Sequence, residues 1–345
     1  VKTGRSGNAP LPSADSLARH RPEAILEPDL PIVDPHHHLW EREEKRYSLP
    51  DLLADLGGGH KIVGTVFVEC MAMYRTRGPS ELRPVGETEF VNAVSATAAE
   101  GGHGPAGICA GIVGFADLML GDRVEPVLQA HIAAGGGRFR GIRHAAGWDA
   151  SEEVRKSHTN PPPEMLASAT FRAGFARLAP LGLSFDAWLY HPQLPELVDL
   201  ARAFPKTTIV LDHLGGPLGC GPYAGLRDEV FSTWRSSIRR LAECAHVVVK
   251  LGGLGMRIGP FDFHRRAAPP TSRDLAAAWQ PYIEACVTAF GSDRCMFESN
   301  FPVDKITCSY AVLWNAFKRL AAGSSASEKA SLFAGTAKRV YRLAV

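Results

Sequence analysis

The sequence predicts a closed parallel barrel of eight β-α units, the (β/α)8 or TIM-barrel fold of the α/β class, in a single domain. Three observations carry this. Eight short apolar, β-branched runs recur along the chain. Helical periodicity fills the intervals between them. Polar and titratable residues gather at the C-terminal ends of the runs, where βα loops form the mouth of such a barrel.

The runs are Ile32–Asp34, Gly64–Cys70, Cys109–Asp117, Phe139–Ala145, Leu183–Tyr190, Thr207–Leu214, His246–Leu251 and Arg294–Ser299. Their starts lie roughly 24 to 48 residues apart, room for a strand, a crossover helix and two loops. Near-continuous apolar character implies burial on both faces. An open doubly wound sheet would instead predict a Gly-rich phosphate turn after an early strand, and none stands there. The cluster Gly252-Gly253-Leu254-Gly255-Met256-Arg257-Ile258-Gly259 has the wrong spacing, follows a late strand and runs into Pro260-Phe261.

Between strands, Pro192-Gln193-Leu194-Pro195 opens a helix with Leu194, Leu197, Val198, Ala201 and Phe204 on one face, stopped by Pro205. A last helix, from Ser309 to Ala322, repeats the spacing with Tyr310, Leu313, Trp314, Phe317 and Leu320. Residues 1–31 are rich in Pro, Ala and charge and read as an arm on the domain, which occupies 32–345.

Composition excludes some classes. Thirty-eight Lys and Arg stand against 36 Asp and Glu in 345 residues, so no bulk field attracts nucleic acid or an anionic membrane. His264-Arg265-Arg266 is too short a basic run to track phosphates. Seven scattered cysteines, never spaced C-x-x-C, suit a reducing compartment rather than a disulfide framework. No stretch approaches the ~18 apolar residues of a membrane span, and no apolar h-region follows the N-terminal basic residues. A cytoplasmic enzyme acting on a small molecule is expected, with self-association left open.

The strand ends carry the chemistry. In Asp34-Pro35-His36-His37-His38, alternation points His36 and His38 into the mouth and His37 outward. Two converging imidazoles suit a divalent metal or an oxyanion. Glu69, closing the second strand, is a metal ligand, a base or half of a buried ion pair. His213 ends the sixth strand as a ligand or general acid-base, while Asp212 is expected on the opposite face in a structural role. Lys250, buried in Val247–Leu251, must be paired or aimed at an anion, either a substrate carboxylate or an internal partner such as Glu69. Arg143 is a second anion clamp, and only one of Arg143 and His144 can face the mouth. Trp188 or Tyr190 lines the pocket, and His191 is expected to serve the following helix. Glu298 and Asn300 share a face of the last strand.

Asp34-x-His36-x-His38-x-Trp40, Leu211-Asp212-His213-Leu214-Gly215 and Glu298-Ser299-Asn300-Phe301-Pro302 resemble motifs of the amidohydrolase 2 family. Within it they are most similar to the branch with 2-pyrone-4,6-dicarboxylate lactonase and sugar lactonases. The resemblance runs from about Leu30 to Leu343. It implies a catalytic cluster of His36, His38, His213 and position 300, where Asn300 replaces the usual aspartate. An amide takes no proton at neutral pH but can still position water, so Glu298 or Glu69 becomes the alternative base. The expected ligands of a Zn²⁺ or Mn²⁺ ion are His36, His38, His213 and Glu69. Without a metal, the histidines polarise an ester carbonyl directly.

The function this implies is hydrolysis of a lactone or related cyclic ester bearing a carboxylate, with Lys250, Arg143 and Tyr190 binding substrate. The alternatives are a metal-dependent non-oxidative decarboxylase of the same fold and a catalytically silent barrel that binds a small acid, which Asn300 motivates. Substrate choice is expected to lie in the loops around 71–90, 147–170 and 255–280.

Overall fold

A computed structural model describes residues 22–42, 45–101 and 107–345. Eight strands run parallel in one sheet. They are β1 (Ile32–His37), β4 (Ile62–Val68), β5 (Gly107–Gly114), β6 (Phe139–Ile142), β7 (Ser184–Ala187), β8 (Ile209–Leu211), β9 (Val247–Leu251) and β10 (Cys295–Phe297). A short antiparallel hairpin, β2 (Trp40–Arg42) with β3 (Lys45–Tyr47), follows the first strand. The chain just after β10 closes the sheet on β1: His37 bridges Phe301, and Asn300 N and His38 N donate to His36 O and Phe301 O. Each predicted run contains or overlaps one barrel strand.

Alternation divides each strand between two cores. Val33, Val66, Val68, Val113, Val210, Val248 and Met296 fill the barrel interior. Their neighbours Phe67, Ile112, Phe185, Leu211, Val249 and Phe297 pack outward against the helices. The helix Leu194–Ala203 buries Leu194, Leu197, Val198 and Ala201, as its spacing predicts, and Leu200 besides. Tyr310–Leu320 starts at Ser309, whose side chain accepts from Val312 N.

The lower end of the barrel is stoppered by the C-terminal segment. Ala334, Ala337, Tyr341 and Leu343 join the interior core. Val345 reaches so close that a Cβ added at Gly64 or Gly107 would lie 2.8 or 2.5 Å from its methyls. Just before β1 the chain packs on the helix Tyr310–Leu320: Leu26 N donates to Asn315, and Lys318 donates to the carbonyls of Leu26 and Glu27. Residues 1–21 of the expected arm lie outside the described residues. Cys109, Cys220, Cys244, Cys286, Cys295 and Cys308 are free thiols. No described helix is long and apolar enough to cross a membrane.

Candidate active site

Val33 and His36 both face inward although three positions separate them, which simple alternation forbids. The pairing of β1 with β4 explains it. Asp34 opposes Thr65 and His37 opposes Phe67, so β1 carries one extra residue there. The bulge turns His36 and His38 inward and His37 outward, where its Nε2 meets Thr65 Oγ1 at 2.9 Å. Asp34, facing out, anchors the end of β10 by accepting from Ser299 N and Tyr310 OH.

His36 lies at the centre of a charged, fully buried cluster. Its ring is 5.0 Å from that of His38 and 4.5 Å from that of His213. Glu298, inward by alternation from Met296, holds two of the three histidines. Its Oε1 is 2.7 Å from His213 Nδ1 and accepts from His213 N at 3.0 Å. Its Oε2 is 2.8 Å from His36 Nδ1, but not in line for a hydrogen bond. Burial opposes ionisation of Glu298, yet the two histidines outweigh it and hold the carboxyl down at about 2. His38 turns Nδ1 to Val68 O at 2.7 Å, which gives that nitrogen the proton and leaves Nε2 the lone pair. Burial lowers His36 and lowers His38 further.

Asp212 corrects the sequence expectation. Val210 faces the interior, so Asp212 does too, 3.0 Å from Lys250 and 3.5 Å from Arg143. His213 then reaches the same side because the backbone there is left-handed, with φ 52°. Alternation holds as far as Asp212 and fails at His213. Lys250 is fully buried and pairs with Asp186 at 2.6 Å and with Asp212, not with Glu69. Tyr341, from the C-terminal stopper, donates to the same Asp186 oxygen at 2.6 Å.

Arg143, not His144, faces the cluster. Its Nε donates to Glu69 Oε1 at 2.7 Å, and its NH1 is 3.3 Å from His36 Nε2. His144 instead accepts from Leu118 N. Glu69 also meets His158 at 3.1 Å, a residue of the 147–170 loop that sequence reasoning missed. Burial would raise Glu69, but His158 and Arg143 hold it at about 2. The pocket aromatic beside His213 is Trp188, at 4.8 Å. Tyr190 is buried with its hydroxyl donating to Arg155 O. His191 accepts from Leu218 N, a structural task. Asn300 is also left-handed, φ 53°, which turns its amide to Asp304 rather than toward Glu298. Asp304 was likewise missed, since it lies beyond the strand in a turn. A surface groove of about 650 Å³ near Phe231 and Pro281 lies on the outer helices and contains none of these residues.

His36, His213 and Glu298 hold ligand atoms within 4.8 Å of one another. His38 and Glu69 stand outside this trio: Glu69 is committed to Arg143 and His158, whereas His38, held through Nδ1 by Val68 O, keeps its Nε2 lone pair. The trio fits a divalent ion. Both oxygens of Asp212 and one of Glu298 lack an aligned hydrogen bond. Among the described residues, four buried carboxylates, Glu69, Asp186, Asp212 and Glu298, face only Lys250 and Arg143 as permanent cations. Two imidazoles and a carboxylate are donors that Zn²⁺ accepts. Lys250 Nζ, 3.2 Å from His36 Nδ1, would share that anionic field with the ion.

Known proteins resemble the chain over nearly its whole length. An uncharacterised Sinorhizobium fredii protein, y4mH, is 34% identical over 91% of this chain and 99% of its own. An L-fucono-1,5-lactonase of Burkholderia multivorans is 26% identical over 90% and 96%. A crystal structure of an amidohydrolase from Burkholderia multivorans with bound Zn superposes with a TM-score of 0.68, at 27% identity, covering 90% of this chain and 99% of that one. The family model described as amidohydrolase matches residues 33–343. On that match the chain belongs to the amidohydrolase 2 family.

Proposed function

We propose that the protein hydrolyses a lactone or related cyclic ester of a carboxylate-bearing small molecule, activating water at the barrel mouth. The observation that carries this reading is Glu298, which grips His213 with one oxygen and lies against His36 with the other. A carboxylate fixed to one ring nitrogen orients the imidazole and stabilises the cation formed when the other nitrogen takes a proton. His213 then accepts the proton of the attacking water and returns it to the leaving ring oxygen. Arg143, beside His36, supplies positive charge for the substrate's acid group or the oxyanion, and Lys250 adds to that field from beneath. The lactonase relative supports a cyclic ester as substrate.

A divalent ion held by His36, His213 and Glu298 would supply a Lewis acid and a water of lowered pKa. The test is a lactone panel assayed with purified protein, with and without chelator, alongside elemental analysis. Ring opening that His213→Ala abolishes is the expected result. Hydrolysis unaffected by that substitution overturns the proposed site.

A further inference from the structure

Asp304 is buried in the short turn Asp304–Ile306 beyond β10. Glu69, Asp186, Asp212 and Glu298 each have a basic side chain within ion-pair distance. Asp304 has none among the described residues. Neutral donors meet it instead: Asn300 Nδ2 donates to Oδ1 at 3.0 Å, and Gly255 N donates to Oδ2 at 3.1 Å. A Cβ at Gly255 would sit 3.0 Å from that second oxygen, a tight fit that glycine avoids. The bond to Asp304 is the only side-chain hydrogen bond of Asn300 among the described residues. It therefore decides which edge of the amide donates and which accepts. Asn300 is also tied to the histidines, since its backbone N donates to His36 O at 2.9 Å.

We propose that Asp304 is a positioning residue of the hydrolytic site: by holding Nδ2 of Asn300 it leaves Oδ1 as a free acceptor that orients the attacking water. The proposal rests on the hydrolase reading above. Water oxygen bonds to the acyl carbon and the ring C–O bond breaks. The proton passes from water to His213 and on to the leaving oxygen, giving the hydroxy acid. Asn300 only accepts a hydrogen bond and takes no proton.

The same geometry is a switch. A protonated Asp304 donates rather than accepts. It then captures Oδ1, the amide turns over, and a donor replaces the acceptor that water needs. Burial pushes Asp304 up to about 7, opposed first by His213 and then by its bonds from Gly255 and Asn300, with Glu298 adding to the rise. The Cys308 thiol also faces it, itself pushed up by burial and by this carboxyl. The change falls near neutral pH.

The test follows the side-chain amide of Asn300 by NMR in protein labelled with ¹⁵N-asparagine, identified by its loss in Asn300→Ala. It should titrate with a midpoint near neutrality in the wild type and stay constant in Asp304→Asn. On a lactone the wild type opens, Asp304→Asn mimics the protonated state. It should lower kcat about tenfold to a hundredfold with KM little changed, and remove the ionisation near neutrality from the pH profile. Asn300→Asp combined with Asp304→Asn restores an acceptor at 300 and should recover activity. An Asn300 signal constant from acid to alkaline pH overturns the proposal, as does a neutral ionisation that persists in Asp304→Asn. If no lactone is opened while the signal still titrates, the hydrolase reading falls and the Asp304–Asn300 switch stands.

Discussion

Glu298 Oε1 lies 2.7 Å from the ring Nδ1 of His213 and 3.0 Å from that residue's backbone nitrogen. One carboxylate oxygen thus fixes both the ring and the left-handed turn that carries it. The turn is costly for a residue with a side chain, and the bond to Glu298 offsets that cost where it is incurred. A strand end and a strained turn on different β-α units become one rigid unit, which a proton-transfer group requires.

Glu298→Gln separates that geometry from its charge. Glutamine keeps the shape, but its single oxygen can serve only one histidine, and it cannot balance a protonated imidazole. Lactone hydrolysis should fall about a hundredfold or more. The thermal midpoint should move little compared with that loss, so kcat and Tm measured on the same samples check it.

Arg143→Lys tests the anion site. Arginine spans Glu69 and His36 at once, with Nε on the Glu69 carboxylate, NH2 on its backbone carbonyl and NH1 on the imidazole. Lysine offers one point charge and cannot do both. KM for a carboxylate-bearing lactone should rise about tenfold while that for a neutral lactone changes less. Equal loss on both substrates refutes a role in binding the acid group.

The barrel was legible because its strands repeat one pattern, apolar on both faces with polar ends. His36, His38, His213 and Glu298 were legible for the same reason. What alternation could not give is what happens past the last paired residue. Strand alternation sets Asp212 and His213 on opposite faces, whereas the left-handed turn brings both inward. His158 and Asp304 come from a loop and a turn, where spacing encodes no direction. Tyr341 comes from the far end of the chain through the bottom of the barrel. Lys250 was recognised as needing a partner, but Asp186 and Asp212 could be chosen over Glu69 only in three dimensions.

Acid should expose the Glu69 ion pairs. The folded-state value of about 2 lies below the ordinary 4.5. The depressed group therefore stabilises the fold above about 4.5, and that contribution is lost as the pH falls toward 2. The full linkage is about 3 kcal/mol, at 1.36 kcal/mol per unit. Urea unfolding from pH 7 downward should show wild type and Glu69→Gln converging below pH ~4.5. Parallel curves would refute the pairing with Arg143 and His158.

The C-terminal stopper makes a sharper packing prediction. A Cβ at Gly107 would lie 2.5 Å from Val345 Cγ1 and 2.7 Å from the backbone oxygen of Val63. The side chain can move, but the strand carbonyl cannot without disturbing β4. Gly107→Ala should therefore cost about 1–3 kcal/mol, read as a lower urea midpoint. Adding Val345→Ala removes the methyl clash only, so the double variant should regain part of the loss. Full recovery would mean that the stopper alone sets the limit, and no recovery that the carbonyl does.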